Sequence, residues 1–107
     1  MENVTQVELT FPFGFSERDA YEVEQKGYYE GAIALLSDGR RFALSFFDPV
    51  RLSQDVAYDL QRGESCVVYT NLVVISSVTQ SKMHAAVDGL LKKNRFARMV
   101  PLPDVTP

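Results

Sequence analysis

Alternation of apolar and polar positions marks the first segment of the chain. Val7, Leu9, Phe11 and Phe13 alternate with Glu8, Thr10 and Pro12, a period of two that predicts a strand with one wet face. Pro12 cannot donate to a ladder, so the strand ends there or lies at a sheet edge. Residues 16–27 carry two signals. Ser16 with Asp19 resembles a helix-starting box, whereas Tyr21 and Val23 alternating with Glu22 and Glu24 suit a strand. The pattern is read as a helical turn at 17–20 followed by extended chain.

The stretch ALLSDGRRFALSFF, Ala34 to Phe47, holds two apolar runs about Asp38-Gly39. Asp-Gly between such runs predicts a hairpin with a two-residue type I′ turn. That register pairs Leu35 with Phe42, Ala34 with Ala43, Ile33 with Leu44 and Ala32 with Ser45. One face is then bulky (Ile33, Leu35, Phe42, Leu44, Phe46) and the other small and smooth (Ala32, Ala34, Ala43, Ser45). Asp48-Pro49 starts a helix, with Asp as N-cap and Pro at the first helical position. Leu52, Val56 and Leu60 form its stripe and Gly63 its stop. ESCVVYTNLVVISSVT predicts a second hairpin, turning at Thr70-Asn71, with both faces apolar. A second main helix runs from about Ser81 to Lys93 with Met83, Val87, Leu90 and Leu91 inward. Residues 95–107 read as a mostly extended tail.

The predicted class is α+β in a single domain, 1–107. An antiparallel sheet of four to six strands carries two main helices, in ββα-ββα order after an N-terminal strand: hairpin and helix at 28–63, hairpin and helix at 64–94. The bulky face lies under the helices. The small-residue face needs a cover, because large apolar patches are unusual on a monomer. The aromatic stretch FPFGF, a second copy, a different protein, or helices divided between the two faces are the four options. The interaction face comprises Ala32, Ala34, Arg41, Ala43, Ser45 and Phe47.

Composition fits this picture. Of 107 residues, 46% are hydrophobic and 23% charged, and seven Phe and five Tyr supply core area without a disulfide or metal. The single cysteine, Cys66, falls in an apolar run and reads as a buried thiol in a reducing compartment. The opening MENVTQVELT has no basic region before an apolar stretch, and no run approaches a bilayer span, so a cytoplasmic protein without membrane contact is expected. The net charge of −3 is uneven: −5 over residues 1–31, −1 over 32–78 and +3 over 79–107.

Candidate chemistry is sparse. His84 and Asp88, four apart on a helix, lack a nucleophile placed beside them, and G-x-S-x-G is absent. One Cys and one His cannot complete a tetrahedral metal site without carboxylates, and no phosphate-binding glycine motif occurs. No catalytic residue, metal or cofactor is assigned. Arg51, Asp55 and Asp59 form a polar patch on the first main helix, with Arg51 and Asp55 at pairing distance in sequence. KKNRFARM gathers Lys92, Lys93, Arg95 and Arg98 around Phe96, the residue types of a single-strand nucleic-acid contact, though thin in an acidic chain. The expectation is a small non-enzymatic interaction module that self-associates as a homodimer or binds another protein. The alternatives are a small-molecule-binding or enzymatic domain with a pocket between sheet and helices, lined by His84, Tyr69 or Cys66, and a weak nucleic-acid binder through 92–98.

Overall fold

The computed structural model describes residues 5–103. The chain is α+β, with a four-stranded mixed sheet and three α-helices. In chain order the elements are β1 (Val7–Thr10), α1 (Glu17–Lys26), β2 (Tyr28–Leu36), β3 (Arg41–Phe47), α2 (Pro49–Gln61), β4 (Leu72–Val74) and α3 (Gln80–Lys92), then a 3₁₀ turn at Arg95–Arg98. The sheet order follows the sequence, β1-β2-β3-β4. The first two pairings are antiparallel and the last is parallel.

This corrects the purely antiparallel sheet and the ββα-ββα order. The second hairpin does not form. Residues 64–70 hold no strand, and β4 lies parallel to β3, with Ser45 opposite Leu72 and Phe47 opposite Val74. Parallel neighbours need a crossover of a dozen or more residues. Here α2 and the return segment 62–71 supply it, so Val67, Val68 and Tyr69 are spent on the way back to the sheet. Cys66, expected to be buried, is exposed on that segment.

Residues 17–26 are one continuous helix rather than a turn followed by extended chain. Ser16 accepts from the Asp19 amide at 3.1 Å and Asp19 accepts from the Ser16 amide at 3.0 Å, a reciprocal box in which Asp takes the usual Glu position. Gly27 stops the helix in the left-handed region, φ 81°. The start of α2 follows expectation, with Asp48 as cap and Pro49 behind it; α3 begins at Gln80, one residue before the expected Ser81, with Thr79 as its cap.

The β2–β3 hairpin forms, but in another register. Leu36 donates to the Arg40 carbonyl and Gly39 to the Leu36 carbonyl, both at 2.9 Å, which makes Ser37-Asp38-Gly39 a three-residue loop. Gly39 sits at φ 93°, the left-handed position such loops require. Leu35 therefore faces Arg41, Ala34 faces Phe42 and Ala32 faces Leu44. A one-residue slip moves a strand's side chains to the other face, so Ala32 and Ala34 are wholly buried beside Phe42 and Leu44, and Ile33 and Leu35 turn outward. An irregularity between Glu30 and Ala32, at Gly31 (φ 94°), returns Tyr29 to the same side as Phe46.

The core lies between that face and α3. Leu9, Ala32, Ala34, Leu36, Phe42, Leu44, Phe46 and Val73 meet Val78, Met83, Val87 and Phe96. Alanines beside Phe42 and Leu44 leave room for the larger side chains of α3, which is the close packing interiors need. The stretch FPFGF folds onto this same side: Phe11 lies 4.6 Å from Phe15 and 5.4 Å from Tyr29, ring centre to ring centre, and touches His84 of α3 edge-on. It does not cover the opposite face.

The tail is partly structured. After the 3₁₀ turn, Leu102 donates to the Arg41 carbonyl at 2.7 Å, and the Arg41 guanidinium donates to the Pro103 carbonyl. Residues 99–103 thus continue the edge that β4 begins along β3. The last four residues of the expected tail lie outside the described residues.

Candidate interaction surfaces

The outer face of the sheet retains three of the six residues assigned to it. Arg41, Ala43 and Ser45 are half-buried there, joined by Ile33 and Leu35. Ala32 and Ala34 belong to the core, for the reason of register given above. Phe47 points to the outer side but is itself buried, 5.7 Å from the Tyr28 ring and 5.0 Å from Tyr69. It is covered by its own chain and offers nothing to a partner. The face that the sequence made smooth and alanine-lined is in fact more apolar and bulkier, with Ile33 and Leu35 in place of Ala32 and Ala34.

The polar patch on α2 is used internally at one end. Arg51 Nε lies 2.8 Å from Asp55 Oδ1, and its guanidinium sits 4.6 Å over the Tyr28 ring and donates to the Lys26 carbonyl. Arg51 thereby fastens the start of α2 to the end of α1 and to β2. Asp59 makes no ion pair among the described residues. Desolvation raises the Tyr69 hydroxyl above its usual pKa, and the carboxylates of Asp55, Asp59 and Glu30 push it the same way against Arg51. The phenol stays neutral at physiological pH.

Apolar positions of α2 are less well used. The helix buries none of its thirteen residues. Leu52 and Val56 are half-covered, while Val50, Tyr58 and Leu60 are exposed.

The basic cluster divides. Lys92, Lys93, Arg95 and Arg98 are exposed, but Phe96 is buried with its ring 5.0 Å from Phe42. An aromatic fixed in the core cannot stack on a base, so the cluster lacks the platform that single-strand binding uses. What the sequence did not reveal is a hollow of about 390 Å³ beside it, lined by Asn71, Leu72, Leu90, Arg95, Arg98 and Met99. Those residues come from β4, α3 and the 3₁₀ turn, with Asn71 just before β4 and Met99 just after the turn. No spacing in the chain links them; only the parallel placement of β4 brings Leu72 to Leu90.

A second hollow, of about 300 Å³, lies between α1 and β2, with Phe13, Asp19, Glu22, Val23, Lys26, Tyr29 and Glu30 around it. Burial, with a smaller push from the Asp19 carboxylate, raises the Tyr29 hydroxyl pKa. His84 and Asp88 are both exposed on α3, and neither is hydrogen-bonded to a side chain among the described residues. No group of three or more His, Cys, Asp or Glu gathers as a metal site among those residues. No described helix is long and apolar enough to cross a membrane.

Comparison with protein-family models, with curated proteins and with solved structures finds no match to this chain.

Proposed function

We propose that this chain is a small, non-enzymatic interaction module that associates with a second copy of itself. The observation that carries the proposal is α2. A helix of thirteen residues with Leu52, Val56 and Leu60 on one stripe buries none of its residues within the chain. Helices of this length draw their stability from packing an apolar face rather than from propensity. Val50, Tyr58 and Leu60 are left to water, and the outer sheet face with Ile33, Leu35 and Ala43 is only half-covered. A second copy meets both needs with the same surfaces. The polar side of α2 with its C-cap carries two arginines and two aspartates, Arg51, Asp55, Asp59 and Arg62, so it has no net charge with which to repel a copy.

A reducing, cytoplasmic setting belongs to the same proposal, because an exposed unpaired thiol such as Cys66 suits a compartment that keeps thiols reduced.

Sedimentation velocity over a range reaching tens of micromolar tests the association. The expected result is a dimer for the natural chain and a folded monomer for Leu60→Glu, whose side chain is exposed and tolerates charge in a lone subunit. A monomer throughout the range overturns the proposal, as does a dimer that Leu60→Glu and Leu35→Glu both leave intact.

A second reading, a small-molecule-binding domain, is favoured by the hollow between β4, α3 and the 3₁₀ turn.

A further inference from the structure

We propose that the hollow lined by Asn71, Leu72, Leu90, Arg95, Arg98 and Met99 binds an amphiphilic organic anion, a carboxylate carried on an aliphatic body. The inference rests on the small-molecule reading just given and does not depend on self-association.

Its volume, about 390 Å³, falls in the range of small-molecule sites, roughly 300–1,000 Å³. Its lining has two parts. Leu72, Leu90 and Met99 supply an apolar wall that is aliphatic throughout, with an adaptable thioether and no aromatic ring. Arg95 and Arg98 supply two guanidinium groups, and neither forms an ion pair among the described residues. Guanidinium is the side chain best matched to a carboxylate, because its planar fork can donate two parallel hydrogen bonds. The surroundings keep the sign: residues 92–98 contain four bases and no acid, in a chain whose net charge is −3.

The walls are also fixed in advance. Only two non-glycine residues among those described have positive φ, Asn71 at 52° and Asn94 at 54°. Asn71 lines the hollow at the start of β4. Asn94 makes the bend from α3 into the turn that carries Arg95 and Arg98. The Asn71 side chain has both donors engaged, at the carbonyls of Ala43 (3.0 Å) and Val100 (2.8 Å), and its oxygen accepts from the Val100 amide (2.9 Å). It holds the segment after Met99 in place and leaves Arg95 and Arg98 as the groups with donors to spare. Such a site selects its ligand by charge at one end and aliphatic surface at the other.

The test is a titration of the ¹⁵N-labelled full chain with sodium octanoate at neutral pH, below its micelle concentration, followed by amide chemical shifts. Saturable shifts are expected at Leu72, Leu90, Arg95, Arg98 and Met99. Octanol, which lacks the charge, and sulfate, which lacks the aliphatic body, should each bind at least tenfold more weakly. The double variant R95Q/R98Q should lose affinity at least tenfold with its other amide shifts unchanged, since both side chains are exposed. The variant K92Q/K93Q removes the same charge outside the hollow and should stay within twofold of the natural chain. Shifts scattered over other apolar surface, octanol binding as tightly as octanoate, or equal losses in the two double variants would each overturn the proposal. The sedimentation result for α2 is read separately, so failure of one proposal leaves the other standing.

Discussion

Asn71 and Val100 hold each other reciprocally: the Asn71 amide donates to the Val100 carbonyl at 2.8 Å, and the Val100 amide donates to Asn71 Oδ1 at 2.9 Å. One side chain thereby imitates the backbone ladder of a strand. It does so because Asn71 is itself in the left-handed region, at φ 52°, which Asn tolerates better than other residues with a side chain. The same amide also reaches the Ala43 carbonyl. Three elements, β3, the start of β4 and the segment after Met99, meet at one residue.

Two substitutions separate the parts of that role. Asn71→Gly keeps the backbone conformation and removes the three hydrogen bonds. Asn71→Ala removes the bonds and also strains the backbone. Urea unfolding should show Asn71→Gly less stable by about 1–3 kcal/mol, with Asn71→Ala a further ~1 kcal/mol worse. Equal stability of the two variants would mean the backbone conformation contributes nothing.

Gly27 makes a sharper case than the other glycines with positive φ. A Cβ there would lie 2.5 Å from Asp48 Oδ2 and 2.9 Å from Arg51 Cβ, whereas one at Gly63 would meet nothing within 4 Å. Asp48 is the cap of α2 and its amide donates to the Gly27 carbonyl. Gly27→Ala should therefore cost both the left-handed strain, about 1–2 kcal/mol, and displacement of the cap, about 1 kcal/mol more. Gly63→Ala should cost the strain alone. Thermal or urea unfolding of the pair measures the difference.

Acid should weaken the protein through Asp19 and Asp38. The Ser16 amide and hydroxyl hold the Asp19 carboxyl below its usual pKa of 3.8. The Arg40 amide above all does the same for Asp38, against an opposing effect of burial, and the Arg40 guanidinium adds to the lowering. A carboxyl whose folded pKa is depressed contributes stability that is fully present above the unfolded value. That stability is lost as pH falls through the folded one. Stability should hold down to about pH 5 and then decline, and the decline should be shallower in Asp19→Asn and Asp38→Asn. Unfolding midpoints measured between neutral pH and acid check this; unchanged slopes in both variants would contradict it.

Cys66, exposed on the return segment, should react with a thiol reagent in the native protein as fast as in denaturant, within a fewfold. A native reaction slowed a hundredfold would place the thiol in the interior that its apolar neighbours suggested.

Local chemistry was legible in the sequence wherever one residue decided the outcome. Asp48-Pro49 starts a helix where it should, Pro12 follows the end of β1, and Asp38-Gly39 makes a turn. Pairing was not legible, because it depended on one residue more or less. Asp38-Gly39 serves a three-residue loop rather than a two-residue one, and Gly31 adds an irregularity at the other end of β2. Both glycines were visible, but neither announces which side of the strand it will turn. The interaction face therefore lost Ala32 and Ala34 to the core. Apolar character misled in the segment after α2, where Val67 and Val68 look like a strand. Closing a parallel crossover required that length of chain for the return, and only Leu72–Val74 remained to pair. The hollow beside Arg95 and Arg98 was out of reach for the same reason, since its walls come together only through that crossover.

The bond from Leu102 to the Arg41 carbonyl has a consequence for the order in which the molecule can be completed. Chains emerge from the ribosome amino end first, at about 5–20 residues per second. The outer half of β3, near residues 41–43, must wait some sixty residues for the segment that closes its flank, on the order of several seconds at that pace. For that interval the nascent protein carries a bare strand margin, open to any extended peptide nearby.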